Sequence, residues 1–477
     1  MNRAKAAPLI AALFLSAPLC AQEPDWTAAY KEVKTHLINL VNIKTAQPEG
    51  NETEAARYMY GVLNREKIDW GIYRLNDTRA NLVATLKGSG KEPPLLLISH
   101  LDTVGADASE WSVPPFKATE KDGYIYGRGA VDCKSLAATN LETMILLKRS
   151  GVKLNRDVIM LASADEESGS AKGLLWMIEH HWDVIKAGFA LNEGGGMLLD
   201  QTGKPRAVFV DAAAKMYMDL LLTAKGVSGQ SALPPADDAV YRLTDALEKL
   251  KNYKTPVRIT PLTRKFFDGL YPFQNPDGKT TIDLLFSQDP AARQGAVSAM
   301  EQDPFLNAQL RDTITPTVVT AGYENNVVPG HAQAILNCRL LPDSDPDQVI
   351  ADVKKAVEND NVEVSVLERP KLPFPKPMEM TDELYASIAR ATAQALPTAA
   401  LVGGVLSPSN DSEHLRRKGT ITYGICGPAT YGQSSGVHGI DERISENELE
   451  QQFRLIYSIV TDFAAGAQRK NETKPAP

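Results

Sequence analysis

The chain has 477 residues, of which 43% are hydrophobic and 23% are charged, and its formal net charge is −8. This composition is typical of a folded globular protein and excludes collagen, a coiled coil and global disorder. The length favours two domains, one of them large. The acidic balance argues against a nucleic-acid partner, since phosphate-backbone binding needs basic surface. Four cysteines in this length exclude a disulfide framework, so we expect buried thiols.

Residues 1–21 predict a secretory signal peptide. Arg3 and Lys5 precede the segment PLIAALFLSAPLC, which is too short and too proline-interrupted to span a bilayer. We expect cleavage after Ala21, a secreted or periplasmic protein and no membrane span. The alternative is a buried N-terminal helix. At the other end, the polar residues 468–477 predict a disordered tail.

Strand-like and helix-like patterns then alternate along the chain. Helical spacing of apolar residues predicts a helix from Glu52 to Asn64, and KSLAATNLETMILLKRSG predicts a second helix that ends at Gly151. This alternation predicts an α/β fold, a mixed sheet sandwiched by helices, formed by residues 22–213 and 371–467. The predicted strands are NLVATLKG, PLLLISHLDTV, RDVIMLASADEES, AGFALNEGGG and TITYGICG.

A second domain is predicted between residues 214 and 370. Its patterns follow the order β-α-β-β-α-β, which is the split unit of an α+β ferredoxin-like fold. A stretch rich in Pro, Asp and Phe, about residues 255–312, interrupts this unit as an insertion. The large domain is therefore split in sequence by a smaller inserted one.

Polar residues cluster where the predicted strands end. Ligands of an open α/β sheet bind outside the carboxyl ends of its strands, so separate segments can converge on one site. Taken alone, each of these residues has a plainer interpretation, such as a hydrogen-bonded strand-end histidine, a solvated acidic pair or a helix N-cap. Their joint occurrence favours a site. The residues are His100, Asp102, Asp132, Asp165, Glu166, Glu167, Glu193 and His438.

The chemistry of this set is that of a metal site. Two histidines, one aspartate and two glutamates suit Zn²⁺ or a similar divalent ion. Five ligands exceed what one tetrahedral zinc with an open position takes, but they fit two metals about 3.5–4 Å apart that share a bridging carboxylate. The adjacent Glu166 and Glu167 offer one ligand and one base. Asp102 follows His100 closely enough to accept the second imidazole N–H.

Several segments resemble a known family, the co-catalytic zinc metallopeptidases that include glutamate carboxypeptidase, carboxypeptidase S, aminoacylase and succinyl-diaminopimelate desuccinylase. The resemblance covers nearly the whole chain after residue 21 and is closest to the carboxypeptidase S-like branch. It implies that the inserted domain is a lid and dimerisation domain, with a homodimer left open. The segments that carry it are ISHLDTV, YGRGAVDCKS, SADEESGS, NNVVPGHAQAILNCRLLP and HGIDERIS.

The resemblance also implies individual roles. Asp132 would bridge two Zn²⁺ ions, although Co²⁺ and Mn²⁺ use the same ligands. Glu166 would be the general base that activates the bridging water and later protonates the leaving amine. Asp102 would orient His100. The two metal sites would be completed by His100 with Glu193 and by Glu167 with His438.

In the predicted lid, one residue differs from the residue type of the family, and three others match it. Gln230 stands where the family has a histidine that reaches across the dimer to the oxyanion; its amide can donate a hydrogen bond but carries no charge. Arg339, Asn325 and Asn326 match lid residues near the substrate carboxylate, and Arg suits bidentate binding of that group. Alternatively, Arg339 pairs only with an acidic residue of the lid.

Two smaller departures lie in the large domain. Glu413 stands where aminoacylase-like relatives often have arginine, which weakens any inference about acidic substrates. Cys133 replaces a common methionine, and we expect it to serve packing.

Three functions are compatible with these observations. The first is a secreted dizinc metallopeptidase or amidohydrolase that cleaves an amide bond of a small peptide or N-acyl amino acid, with a metal-bridging hydroxide as nucleophile and Glu166 as its general base. The second is a non-catalytic metal-binding homologue, suggested by Gln230. The third is another dimetal hydrolase, such as a phosphoesterase. The presence of Glu166 favours the first over the second, and the lack of a second basic cluster near the ligands argues against the third.

Overall fold

A computed structural model describes residues 24–200, 202–359, 361–407, 410–426 and 436–465. The predicted signal peptide and the predicted disordered tail lie outside these ranges. Within the described ranges, no helix is both long and apolar enough to cross a membrane.

The helices of the described residues often begin at an aspartate or threonine whose side chain accepts a backbone N–H, as at Asp25, Asp238 and Thr260. Short 3₁₀ helices lie at Glu166–Ser168 and Tyr271–Phe273. The α-helices are α1 (Trp26–Val41), α2 (Glu52–Arg65), α3 (Lys134–Ser150), α4 (Leu174–His180), α5 (Trp182–Ile185), α6 (Ala239–Asn252), α7 (Pro261–Leu270), α8 (Pro276–Leu285), α9 (Pro290–Met300), α10 (Pro304–Leu310), α11 (Pro346–Val357), α12 (Glu383–Ala395), α13 (Ser412–Arg417) and α14 (Glu446–Ala465).

Within the described ranges, the strands form one large sheet and three smaller ones. They are β1 (Asp69–Arg74), β2 (Ala80–Leu86), β3 (Leu95–His100), β4 (Thr119–Lys121), β5 (Tyr124–Tyr126), β6 (Val158–Ser163), β7 (Phe189–Glu193), β8 (Gly196–Leu199), β9 (Pro205–Ala214), β10 (Met216–Lys225), β11 (Gly229–Gln230), β12 (Thr313–Ala321), β13 (Val327–Val328), β14 (His331–Leu340), β15 (Val362–Glu368), β16 (Ala400–Ser407), β17 (Ile421–Cys426) and β18 (Arg443–Ser445).

The large sheet is mixed and has the order β1-β2-β6-β3-β7-β17-β9-β16, with β8 paired to β9. β3 runs parallel to both β6 and β7, and β7 runs parallel to β17. β1 and β2 run antiparallel to their neighbours. Every residue of β3, β6 and β7 is buried, as expected for apolar strands in a sheet that is covered on both faces.

Helices cover both faces of this sheet, which confirms the predicted α/β fold. Along β3, Leu95 and Leu97 face a core formed with α1, α2, α3, α12 and α14. Leu96 and Ile98 face the opposite core, formed with α4, α5 and α13. The alternation follows from the two-residue period of a strand and places the end of β3 between two helical layers.

The second sheet has the order β12-β14-β10-β15, and all its pairs are antiparallel. With α6 and α11 packed on it, this is the β-α-β-β-α-β arrangement expected from the sequence. We call the unit formed by residues 216–368, apart from the insertion, the lid. The exact boundaries at 213/214 and 370/371 stay predictions.

The insertion folds into α7 to α10 and packs away from the lid core. Phe266 and Phe267 of α7 share a buried cluster with Phe209 of β9 and Val402 of β16. The segment therefore interrupts the lid in sequence but covers the edge of the large sheet in space.

A three-stranded sheet of order β18-β5-β4 joins distant parts of the chain. Arg443 lies opposite Tyr126, and Ile444 lies opposite Ile125. This pairing places the segment after His438 beside the loop that leads to Asp132.

Candidate metal centre

Parallel strands bring four candidate residues to one edge of the large sheet. His100 is the last residue of β3, and its register partner is Ser163 at the end of β6. The pair Glu166–Glu167 follows β6 in a 3₁₀ turn, and Glu193 is the last residue of β7. Their proximity is a consequence of strand direction, because parallel strands end at the same side of a sheet.

Asp132 lies between two histidines. Its Oδ1 is 3.0 Å from His100 Nε2, and its Oδ2 is 3.3 Å from His438 Nε2. Each oxygen of one carboxylate thus faces a different imidazole. This is the arrangement expected of a carboxylate shared between two metal positions.

Each histidine has a second acidic neighbour. His100 Nε2 lies 3.4 Å from Glu193 Oε2, and His438 Nε2 lies 3.1 Å from Glu167 Oε2. The five side chains that were predicted as ligands therefore form two groups, each with one histidine and one glutamate, joined by Asp132.

The two groups differ in their exposure to solvent. The His100 side chain is 1% exposed, whereas the His438 side chain is 55% exposed. Burial raises the pKa of the Glu193 carboxyl to about 7, against the opposing effect of His100. Hydrogen bonds to Asp132 and Glu167 raise the pKa of His438 to about 10. Both shifts favour the protonated forms of Glu193 and His438.

Glu166 lies beside the cluster without joining either histidine. Its pKa is raised well above the usual value by desolvation, and the negative charge of Glu193 adds to the effect. Its backbone N–H donates to Asp102 Oδ1 at 3.0 Å, which fixes the start of the turn. A carboxyl held in this way is suited to accepting and returning a proton.

Asp102 organises the first histidine and the acidic turn together. His100 Nδ1 donates to the Asp102 backbone oxygen at 3.0 Å, while the carboxylate Oδ1 is farther away, at 3.5 Å. The sequence predicts that the carboxylate of Asp102 accepts this N–H. Instead its oxygens accept the N–H groups of Glu166 and Glu167 and the amide of Gln47. Either way, the Nε2 lone pair of His100 is left facing the cluster.

Glu442 is a supporting residue that sequence reasoning missed. Its buried carboxylate accepts the backbone N–H groups of Gly129, Val131 and Asp132 and pairs with Arg128 at 2.8 Å. These bonds fix the loop that presents Asp132. The only signal in the sequence was its place in the segment HGIDERIS.

Cys133 is buried in the hydrophobic core beside the centre, as expected of a residue that serves packing. Its Sγ, a ring nitrogen of His100 and a carboxylate oxygen of Glu193 lie within 4.8 Å of one another. Cys133 and Cys338 are both buried free thiols, while the side chain of Cys426 lies outside the described residues.

The lid residues lie apart from this cluster. Gln230 is exposed on β11, where it pairs with Val327, and the exposed Asn326 accepts the N–H of Ser231 through its backbone oxygen. The Arg339 guanidinium lies over the Tyr217 ring at 4.5 Å, and its Nε donates to Asn337 at 3.0 Å. In the part of the chain that the structure describes, no hydrogen bond or ion pair links these lid residues to the five clustered side chains.

The donor atoms of the cluster are of the kinds that bind divalent cations. Imidazole nitrogens and carboxylate oxygens are the donors that Zn²⁺ accepts in proteins. Three acidic side chains converge with limited exposure, and two histidines face them closely. Such a concentration of negative charge calls for cations, since buried carboxylates are otherwise paired or protonated.

Comparisons with known proteins identify the family of the chain. A model of the "Peptidase family M20/M25/M40" matches residues 96–462. The mouse N-fatty-acyl-amino acid synthase/hydrolase PM20D1 is 27% identical over 455 residues, which cover 91% of this chain and 87% of the relative.

Solved structures share the fold. The M20 family metallo-carboxypeptidase Sso-CP2 from Sulfolobus solfataricus superposes with a TM-score of 0.66 at 20% identity, covering 90% of this chain and 98% of that one. The YXEP protein of Bacillus subtilis, described as a dinuclear metal binding peptidase from the M20 family, superposes with a TM-score of 0.58 at 14% identity, covering 92% and 99%.

Proposed function

The chain belongs to peptidase family M20/M25/M40 and is a hydrolase of that family, and from this premise we propose that it cleaves an amide bond of a small peptide or an N-acyl amino acid with two zinc ions. The family resemblance noted in the sequence motifs is thereby confirmed. The observation that carries the finer proposal is the position of Asp132, whose two oxygens face His100 and His438 separately. The mouse relative is named for N-fatty-acyl amino acids, which supports the second substrate class.

The proposed cofactors are two Zn²⁺ ions per subunit, and Co²⁺ or Mn²⁺ would accept the same ligands. His100 and Glu193 would hold one ion, Glu167 and His438 the other, and Asp132 both. When bound, such ions would supply Lewis acidity, which lowers the pKa of a bound water and polarises a carbonyl group.

Glu166 is the proposed proton carrier. It lies beside both ligand groups, yet its carboxylate is not paired with either histidine in the described structure. It would take the proton of the attacking water and deliver it to the leaving amine. Asp102 supports this role by binding the backbone N–H of Glu166 and by orienting His100.

Arg339 is the proposed anchor for a substrate carboxylate. Its stacking on Tyr217 holds the guanidinium plane, and among the described residues its two terminal nitrogens make no hydrogen bond. A guanidinium with free donors can bind a carboxylate with two hydrogen bonds. Gln230 on β11 and Asn326, which directly precedes β13, lie beyond the opposite end of β14 and would contribute further polar contacts once the lid closes.

We extend the proposal to a homodimer formed through the lid. β12 is an edge strand of the lid sheet, and its residues from Thr315 to Ala321 are exposed. Val318 and Val319 are 45% and 59% exposed. An unpaired edge strand of this kind invites pairing with another strand, and a second copy of the chain would supply one.

Export is also part of the proposal. Residues 1–21 have the basic and apolar regions of a secretory signal, and cleavage after Ala21 would release the chain to the periplasm or the medium. N-terminal sequencing of protein from these fractions tests this, and a mature protein that still begins at Met1 would contradict it.

A metal-binding homologue without turnover is the second candidate. The observation that favours it is Gln230, which replaces an ionisable histidine by a neutral amide. The proton-transfer role proposed for Glu166 favours turnover instead, because a binding protein does not need a proton carrier.

A substrate screen separates the two candidates. Purified protein with Zn²⁺ is incubated with dipeptides and N-acyl amino acids of varied side chain and acyl length, and released amine is measured. Glu166→Gln serves as the matched control. Release by the wild type alone supports the amidohydrolase, whereas no release from any member, together with bound metal, would favour the second candidate.

A further inference from the structure

A second group of side chains of metal-ligating type lies between helices α1 and α3 of the large domain. Glu32 and His36 are one turn apart on α1, and Glu142 approaches them from α3. One ligand atom from each residue lies within 4.8 Å of the other two. The group is separate from the centre at Asp132, because Glu142 lies about 12 Å along α3 from its first residue.

Glu142 has an unusual environment for a carboxylate. The residue is fully buried, at 0% exposure, and neither of its oxygens accepts a hydrogen bond within the described residues. His36 Nε2 lies 3.4 Å from its Oε2. A buried carboxylate without hydrogen bonds is strongly disfavoured unless it binds a cation or a proton.

His36 is oriented as metal-binding histidines are. Its Nδ1 lies 2.8 Å from the hydroxyl of Tyr58. If Nδ1–H donates to that oxygen, Nε2 carries the lone pair and faces Glu142. A ligating histidine usually donates its other ring N–H to such a neighbour, which fixes the tautomer.

Glu32 completes the group at the surface. Arg149 binds both its oxygens, at 2.8 and 3.0 Å, and also binds Glu66 at 2.7 Å. Each Glu32 oxygen keeps a second lone pair for a cation. The side chain of Glu32 is 39% exposed, so it leaves a path by which an ion and a water can enter.

We propose that Glu32, His36 and Glu142 bind a structural divalent cation of the Zn²⁺ type, which joins α1 to α3. Two carboxylates and one imidazole supply three ligands, and water from the exposed side supplies the fourth of a tetrahedral site. Glu32 and Glu66 share the Arg149 guanidinium, and Glu142 faces the His36 imidazole, so a dication would offset the remaining negative charge.

The test counts metal ions. Chelator-stripped full-length protein is dialysed against Zn²⁺ alone. The zinc bound per chain is then measured by inductively coupled plasma mass spectrometry. Glu142→Gln and His36→Gln should each bind one equivalent less than the wild type, because either change removes a buried ligand. Glu66→Gln is the matched control: it contacts the same Arg149 but is not a ligand, so it should bind as much zinc as the wild type.

The comparison is independent of the catalytic proposal, since it rests on a difference of one equivalent and not on the total. Asp132→Ala should remove zinc from the other centre and leave this equivalent in place. Folding of each variant is checked by circular dichroism in chelator. Equal zinc contents in wild type, Glu142→Gln and His36→Gln would overturn the proposal and leave His36 and Glu142 as an ion pair.

Discussion

The carboxylate of Glu442 accepts the backbone N–H of Asp132 at 3.1 Å, although 310 residues separate the two in sequence. The same carboxylate accepts the N–H of Val131 at 2.9 Å. The residue that would be shared by both metals is therefore fixed through its main chain by a buried acid, and its side-chain oxygens stay free to face the two histidines.

Glu442→Gln should weaken metal binding without removing a ligand. The amide keeps one acceptor oxygen but loses the second, and Arg128 loses its charged partner. Loss of such a supporting contact lowers metal affinity by roughly 10–100-fold. Competition with a fluorescent zinc chelator measures it. Glu446→Gln, which alters a surface pair with Lys34, is the control; equal affinities in a folded Glu442→Gln protein would contradict the role of Glu442.

Glu166→Gln should abolish turnover and keep both catalytic metals. Its carboxylate is assigned to proton transfer, and loss of a general base lowers the rate by about 10²–10⁴-fold. Glu167→Gln should instead reduce metal binding, because that side chain lies 3.1 Å from His438 Nε2. Steady-state rates and zinc contents of the two variants decide the matter. The reverse pattern would exchange the roles of the two residues.

Gln230→His should raise kcat on a simple dipeptide more than it changes KM. An imidazolium would donate a stronger hydrogen bond to the oxyanion than an amide does, and that interaction belongs to the transition state. The rate profile should gain a limb near pH 6.5, where histidine titrates. Gln348→His, on the exposed face of α11, is the control. Unchanged kcat and pH profile would place Gln230 on an idle surface of the lid.

Glu448→Gln should change how stability depends on pH. Burial raises the pKa of Glu448 to about 7 from its ordinary 4.5. The folded state therefore binds more protons than the unfolded state between these values, so the contribution of Glu448 falls as pH rises through this window. The variant lacks this loss and should gain stability relative to the wild type between pH 5 and pH 8.

Urea unfolding at both pH values measures that gain. Glu450→Gln, which breaks a surface pair with Arg454, is the control and should show little change. A constant difference in unfolding free energy between wild type and Glu448→Gln at the two pH values would contradict the prediction.

The ends of the buried strands could be predicted from the sequence for a simple physical reason. Buried parallel strands appear as continuous apolar runs, so His100 and Glu193 could be located at the ends of β3 and β7 without knowledge of the packing. The structure adds that β3 and β7 are neighbouring strands, which brings His100 Nε2 to 3.4 Å from Glu193 Oε2. The α/β class was predictable on the same ground and is confirmed.

Other features depend on contacts that no local pattern encodes. The hydrogen bonds between Glu442 and the Asp132 loop join segments more than 300 residues apart. The residues around Glu442 in the sequence do not distinguish it from other acidic residues that follow a turn. The burial of Glu142 depends on how α1 meets α3. The insertion could be recognised by its composition, but its packing of Phe266 against β9 and β16 required the structure.

The central claim is tested most directly by amide hydrolysis before and after metal removal. The wild-type protein is stripped with a chelator, assayed on the best dipeptide or N-acyl amino acid of the screen, and assayed again after Zn²⁺ is restored. Turnover should fall to the level of Glu166→Gln in the stripped protein and return with zinc, because His100, Asp132, Glu167, Glu193 and His438 are proposed to hold the ions that activate water. Undiminished hydrolysis by the stripped protein would contradict the account.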